Sequence, residues 1–217
     1  MSHSNASLAS ALLLASVVGC DPACRAEGAC AFDPPDALEI DSLGALSISE
    51  IRPADGVDYV ALHVGRSPVS TYGTACARAA DPAACGAAID ALPAATGFGN
   101  ACGLPAMCPA RLVVTRGDEV LAIDTLEGML DVLGSIDAPA EAALVVFASR
   151  PERALPYAGY DVHRVAAVPG GFEVWATYLE SDCDPIVTRG AVVHVPANGA
   201  PDVACDRVTS CTPDVCI

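Results

Sequence analysis

Cysteine is the residue type with the widest chemical reach in this chain, with 11 copies among 217 residues against four histidines and no lysine. Thiols bind metals, carry redox chemistry or close disulfides, and their spacing and company decide which. Cys24 and Cys30, Cys102 and Cys108, and Cys205 and Cys211 all share the spacing Cys-x5-Cys. Zinc knuckles use shorter spacings with histidine or further cysteine close by. These six therefore read as disulfide cysteines, together with Cys76, Cys85, Cys183 and Cys216. His63, His163 and His194 each fall in an expected strand, and three histidines on neighbouring strands would suit zinc. They stand at no ligand-type spacing, and His163 shares its face with Asp161, so no metal site is assigned. Ser181-Asp182-Cys183-Asp184 holds two carboxylates, too few oxygen ligands for a calcium loop, and reads as a polar hairpin turn. Arg116-Gly117-Asp118 matches the tripeptide read by integrins, but Gly with Asp is also what a tight turn demands, and the turn reading is preferred. Trp175 and Tyr178 at strand spacing read as core or cross-strand packing before they read as a binding face.

The chain contains no glycine-rich phosphate loop, nucleophile elbow, helical histidine pair or Cys-x-x-Cys motif. Each of those would have carried a specific chemistry. No catalytic residue and no cofactor is therefore assigned.

The first residues run from a polar start (Ser2 to Ser7) into an apolar stretch from Leu8 to Val18, too short to cross a bilayer. The stretch ends in Val17-Val18-Gly19-Cys20. This resembles the lipobox of bacterial lipoprotein precursors, although the start carries His3 where such signals carry Lys or Arg. The resemblance implies that residues 1–19 are a signal peptide and that Cys20 takes a diacylglyceryl group and becomes the first mature residue. Assigning Cys20 to the lipid leaves an even number of cysteines for pairing. In general look the rest of the chain is similar to the cysteine-rich lipoproteins of high-GC bacteria, a similarity that carries over no functional residue. An exported location agrees with the cysteine content, because disulfides persist outside the reducing cytosol. Asp21 follows the lipid cysteine, as in lipoproteins that enterobacteria retain in the inner membrane, but the rule varies and the choice of membrane stays open.

The 27 acidic residues outnumber the 11 arginines, for a net charge of −16. That balance opposes binding to nucleic acid or to an anionic lipid surface. The expected partner is the membrane, through the lipid on Cys20, with an envelope protein as a further candidate.

The elements that would position these residues can be read from turn chemistry and alternation. Residues 20–39, with Asp33-Pro34-Pro35-Asp36 and few large apolar side chains, read as a tether, in which Cys24 and Cys30 close a small loop or tie it down. Residues 40–217 then read as a single disulfide-rich domain. Leu46 to Ser49 alternates, and Tyr59 to Val64 reads as a strand. Thr74 to Leu92 reads as two short helices broken at Asp81-Pro82, with Asp81 as N-cap. The break would let Cys76 face Cys85. Residues 93–110 read as an irregular loop pinned by cysteines. Arg111 to Thr115 and Glu119 to Ile123 read as a hairpin. Asp124 with Glu127 suggests a capping box and Gly134 the end of that helix. A helix is expected from near Asp137 or Ala138 to Ala148, although Leu144 to Phe147 would equally suit a strand. Tyr160 to Val168, Phe172 to Leu179, Ile186 to Val195 and Val203 to Val208 read as an antiparallel meander. The fold class is therefore α+β, with the meander in the C-terminal third, short helices packed on it and disulfides stapling the whole. Ten cysteines allow on the order of 900 pairings. Strand order favours Cys183 with Cys205, and local spacing favours Cys205 with Cys211.

The expectation is a membrane-anchored envelope lipoprotein with a binding or structural role. The alternatives are a hydrolase-like extracytoplasmic enzyme, and a protease inhibitor presenting the loop 93–110.

Overall fold

The computed structural model describes residues 30–32, 34, 36–93, 97–98, 108–156, 158–183 and 185–213. Within them lie nine strands, β1 (Leu38–Glu39), β2 (Tyr59–Val64), β3 (Ser67–Gly73), β4 (Ala110–Arg116), β5 (Glu119–Ile123), β6 (Asp161–Val168), β7 (Gly171–Asp182), β8 (Ile186–Pro196) and β9 (Asp202–Thr212). The three α-helices are α1 (Pro82–Asp90), α2 (Leu126–Leu133) and α3 (Pro139–Ala148). The fold is α+β, as expected, and every ladder is antiparallel. One sheet runs β1-β6-β7-β8-β9 and contains the C-terminal meander; the other runs β3-β2-β4-β5.

Alternation along β7 buries Phe172, Val174, Ala176 and Tyr178 on the face toward the helices. α3 packs there, against β6, β7 and β8, and also touches α2. Every residue of α3 from Ala140 to Phe147 is buried, so the helix is enclosed on all sides. That removes any polar stripe and explains why periodicity could not separate helix from strand here. The core around it takes Val60 and Leu62 of β2 and Leu112 and Val114 of β4 as well, so both sheets share it. The other face of the four-stranded sheet is also covered, with Ala61, Val113 and Thr115 fully buried.

Local chemistry sets the ends of the elements. Asp81 caps α1 by accepting from the Ala83 and Ala84 N–H groups, with Pro82 at the first helical position. Only this second of the two expected helices forms. The stretch before it is a series of turns in which Cys76 adopts φ 57° and gives its N–H to the Thr115 hydroxyl. Its backbone donor is thus used across the sheet and not along a helix. The cap of α2 is Thr125, which accepts from the Gly128 N–H, so the expected Asp124–Glu127 box is displaced by one residue. Gly134 ends that helix at φ 69°. Leu46 and Ile48 bury alternate side chains as their pattern demands, but no strand pairs with them. β3 had no counterpart in the sequence reading. Its second residue, Pro68, lacks a ladder donor and is tolerated because β3 is an edge strand.

The largest departure concerns residues 30–39. Half of the expected tether is bound to the sheet: β1 pairs with β6, and Cys30 is disulfide-bonded to Cys205, 175 residues away. The Cys183–Cys205 and Cys205–Cys211 pairings are therefore both overturned, as is a Cys24–Cys30 loop. The fourth strand of the meander does run back toward Cys183, but β8 and β9 pair over their whole length, which sets Cys205 opposite Val192 and Cys211 opposite Val187. Asp182 stands opposite Ile186, so Cys205 lies about six residues, roughly 20 Å, along the ladder from the turn that holds Cys183. Cys76 and Cys85 are joined across the break before α1, with Cα atoms 5.9 Å apart.

Candidate functional site

The polar groups of the four-stranded sheet are the natural place to look for chemistry, because two of them are deeply buried without full satisfaction. His63 on β2 and Arg111 on β4 stand directly opposite each other in the ladder. Cross-strand neighbours of this kind have Cβ atoms about 5 Å apart. His63 is 9% exposed and Arg111 5%. The Arg111 guanidinium donates through one terminal nitrogen to the Pro93 carbonyl, while its Nε has no partner, and neither has His63 Nδ1. Burial, reinforced by the Arg111 charge, holds His63 below the usual histidine range, against a backbone hydrogen bond at Arg66 that acts the other way. The imidazole is therefore neutral at neutral pH. The turn that closes the β2–β3 hairpin completes this end of the sheet, with the Gly65 N–H on the Pro109 carbonyl at 3.0 Å.

A second constellation lies on the helix-facing side of the five-stranded sheet. Arg189 of β8 donates from Nε to Asp206 of β9 at 2.6 Å and from a terminal nitrogen to Glu180 of β7 at 3.1 Å. The Tyr178 hydroxyl donates to the other Asp206 oxygen at 2.7 Å, and Tyr160 packs edge-on to Tyr178 with centroids 5.7 Å apart. Burial opposes the Arg189 charge, but the two carboxylates outweigh it and keep the guanidinium protonated. Burial, then the charge of Asp206, pushes the Tyr160 hydroxyl up to about 12. Burial together with the bond to Asp206 also raises Tyr178. Both phenols stay protonated, so neither supplies a base or a nucleophile at neutral pH. The cluster compensates itself and ties three strands together.

The sequence-flagged residues are distributed as follows. His163 and His194 are on the five-stranded sheet and His63 on the other, so the three histidines are not one site. His163 Nε2 meets the Thr177 hydroxyl at 2.7 Å. Among the described residues no group of three or more His, Cys, Asp or Glu is placed to hold a metal ion. In the Arg116-Gly117-Asp118 turn, the Gly117 N–H donates to Asp58 at 2.7 Å and the Asp118 carboxylate accepts from the Ala80 N–H at 2.7 Å. The tripeptide is thus bound into the fold. Burial alone would raise the Asp58 carboxyl, but the bonds from Gly117 and from the Arg78 guanidinium outweigh it and hold it below the usual range. Ser181 Oγ donates to the Cys183 carbonyl at 3.1 Å, as a hairpin turn requires; Asp184 lies outside the described residues. Trp175 is not core: it lies on the opposite face of β7 from Tyr178, stacked on Phe32 at 6.5 Å, with the Arg164 guanidinium 5.3 Å from the far ring. Cys20, Cys24, Cys102, Cys216 and most of the loop 93–110 also lie outside the described residues. Cys108, Cys183 and Cys211 are disulfide-bonded, so all seven described cysteines are in bridges.

None of three comparisons with known proteins lends the chain a function. No protein-family model matches it. Comparison with curated proteins and with solved structures likewise found no match. The chemistry of the sites must be argued from their own residues.

Arg111 was not singled out by sequence, and His63 only as a metal candidate. The signal that marks them is an absence of acid: no Asp or Glu occurs in residues 59–80 or 91–117, in a chain that has 27 of them. Those runs contain Arg66, Arg78, Arg111 and Arg116.

Proposed function

We propose that this chain is a lipid-anchored protein of the cell envelope, carrying a disulfide-stapled binding module on Cys20. The observation that supports the exported location is that all seven described cysteines are in disulfides, which reducing compartments do not maintain. The Cys30–Cys205 bridge adds a geometric consequence. In this reading residues 1–19 are the signal peptide, and Cys30, which its bridge fixes to β9, lies ten residues beyond the lipid-bearing Cys20. Such a link spans at most about 35 Å. The module therefore works close to the bilayer and is not held out on a long stalk. A binding role is supported over a purely structural one by the uncompensated Arg111, a feature that stability alone would not select.

Replacing Cys20 by Ala tests the anchor. Metabolic labelling with a radioactive fatty acid should mark the wild-type protein and leave Cys20→Ala unmarked and released from membranes. Label retained in the variant would overturn the lipoprotein reading.

A further inference from the structure

We infer that the His63–Arg111 end of the four-stranded sheet is a binding site for a small carboxylate ligand, gripped by Arg111 Nε–H and by His63 Nδ1–H once the imidazole takes up a proton. The inference goes beyond the lipid anchor and does not depend on it.

The geometry supplies the two donors. They come from directly opposed positions of adjacent strands, both side chains are more than nine-tenths buried, and both nitrogens lack a partner. An arginine fork and a neighbouring imidazolium match the two oxygens of one carboxylate. The charge environment points to an anion from outside the chain. The other deeply buried arginine, Arg189, has Asp206 and Glu180, and the exposed Arg78 has Asp58. Arg111 has no carboxylate among the described residues. The chain on either side of it, residues 91–117, contains no acid, and β2, β3 and the Gly65-Arg66 turn contain none either. Of the groups that act on His63, Arg111 from β4 brings a charge and Arg66 a backbone hydrogen bond; the other titratable side chains of β2 and β3 are Tyr59 and Tyr72. On this side the Pro93 carbonyl accepts from Arg111, the Pro109 carbonyl accepts from the Gly65 N–H, and Phe98 pairs with Ala110. Deep burial restricts the ligand to something small. The net charge of −16 disfavours multiply charged anions such as phosphate and leaves the monoanion as the better match.

Binding is coupled to a proton. A neutral His63 carries one ring proton, on Nδ1 or on Nε2, and no charge; protonation from solvent makes Nδ1 a donor in every molecule and adds the positive charge that attracts a carboxylate. The bound complex is imidazolium, guanidinium and carboxylate, and each ligand taken up above the His63 pKa brings one proton from water. Affinity therefore rises as pH falls through the region below 6.5, until the ligand itself becomes protonated.

The test follows the imidazole proton resonances of the full chain against pH, in sodium acetate and in sodium chloride of equal ionic strength. Acetate should raise the His63 midpoint by about half a unit or more, a threefold change in proton affinity, with saturation as acetate is added. The effect should be confined to one imidazole, and His63→Asn identifies its resonance by deleting it. Arg111→Gln should abolish the shift, and Arg111→Lys, which keeps charge and bulk without the fork, should weaken it. Equal His63 midpoints in the two salts overturn the proposal in the wild-type protein, whatever the variants do. So does a shift that all histidines share without saturation.

Discussion

Glu141 shows how much a single buried carboxylate can organise. It is fully buried, yet one oxygen accepts from the Arg52 N–H at 2.6 Å and the other from the N–H groups of Asp137 and Ala138 at 2.6 and 2.9 Å. It therefore satisfies the N-terminus of α3 and fastens the segment around Ile51 to it. Glu141→Gln keeps the size but turns one amide edge toward an N–H, leaving donors opposed. The expected loss is about 2–3 kcal/mol, read from urea unfolding. The helix expected from near Asp137 to Ala148 runs through Glu141, but its reach to Arg52 was not legible, because a contact across 89 residues leaves no local trace. The same holds for the His63–Arg111 pair. Both residue types are unremarkable on strands, and only the register between β2 and β4 sets them opposite each other. What was legible there was composition: two acid-free runs in an acidic chain.

Strands and turns were readable where one face is wet and the other dry, as on β7, and where a turn needs a particular residue, as at Gly117 with φ 57°. The reading failed where the environment was uniform or the backbone was committed elsewhere. α3 is buried on all sides, β3 is exposed along nearly all its length, and Cys76 gives its N–H to the sheet. Gly190 on β8 is a further case. No turn demands it, and its reason is the neighbouring strand: a Cβ there would lie 2.2 Å from the Trp175 ring and 2.6 Å from the Thr209 methyl. The glycine lets the indole lie flat on β8, with Phe32 and then Arg164 stacked beyond it. Gly190→Ala should push the indole off its seat and cost about 1–3 kcal/mol by overpacking. Trp175 is the sole tryptophan, so its fluorescence reports the displacement directly. A variant with unchanged emission and unchanged unfolding midpoint would mean that the stack does not depend on this seat.

At the scale of the molecule, two bridges of very different span can be compared. Cys30–Cys205 closes a separation of 175 residues and Cys76–Cys85 one of 9. Restricting the unfolded chain contributes roughly 5 kcal/mol for the first and about 2.5 kcal/mol for the second on the chain-entropy estimate. Removing each pair as a double alanine variant should therefore lower the urea midpoint about twice as far for Cys30/Cys205. Equal losses would show that local strain or packing, not chain restriction, governs them. The long bridge was illegible because cysteine spacing speaks only for near neighbours, whereas this one is decided by which face of β9 Cys205 occupies. The bridge also sets an order in time. Cys30 is synthesised 175 residues before its partner, a wait of roughly 10–35 s at ordinary chain growth, with Cys76 and Cys85 made in the interval. If Cys30 pairs in order of appearance it pairs wrongly, whereas Cys76 and Cys85, consecutive in the chain, pair correctly. Maturation of this protein accordingly requires either that Cys30 stay reduced until the last strand exists, or that an early bridge be exchanged for the native one by thiolate attack.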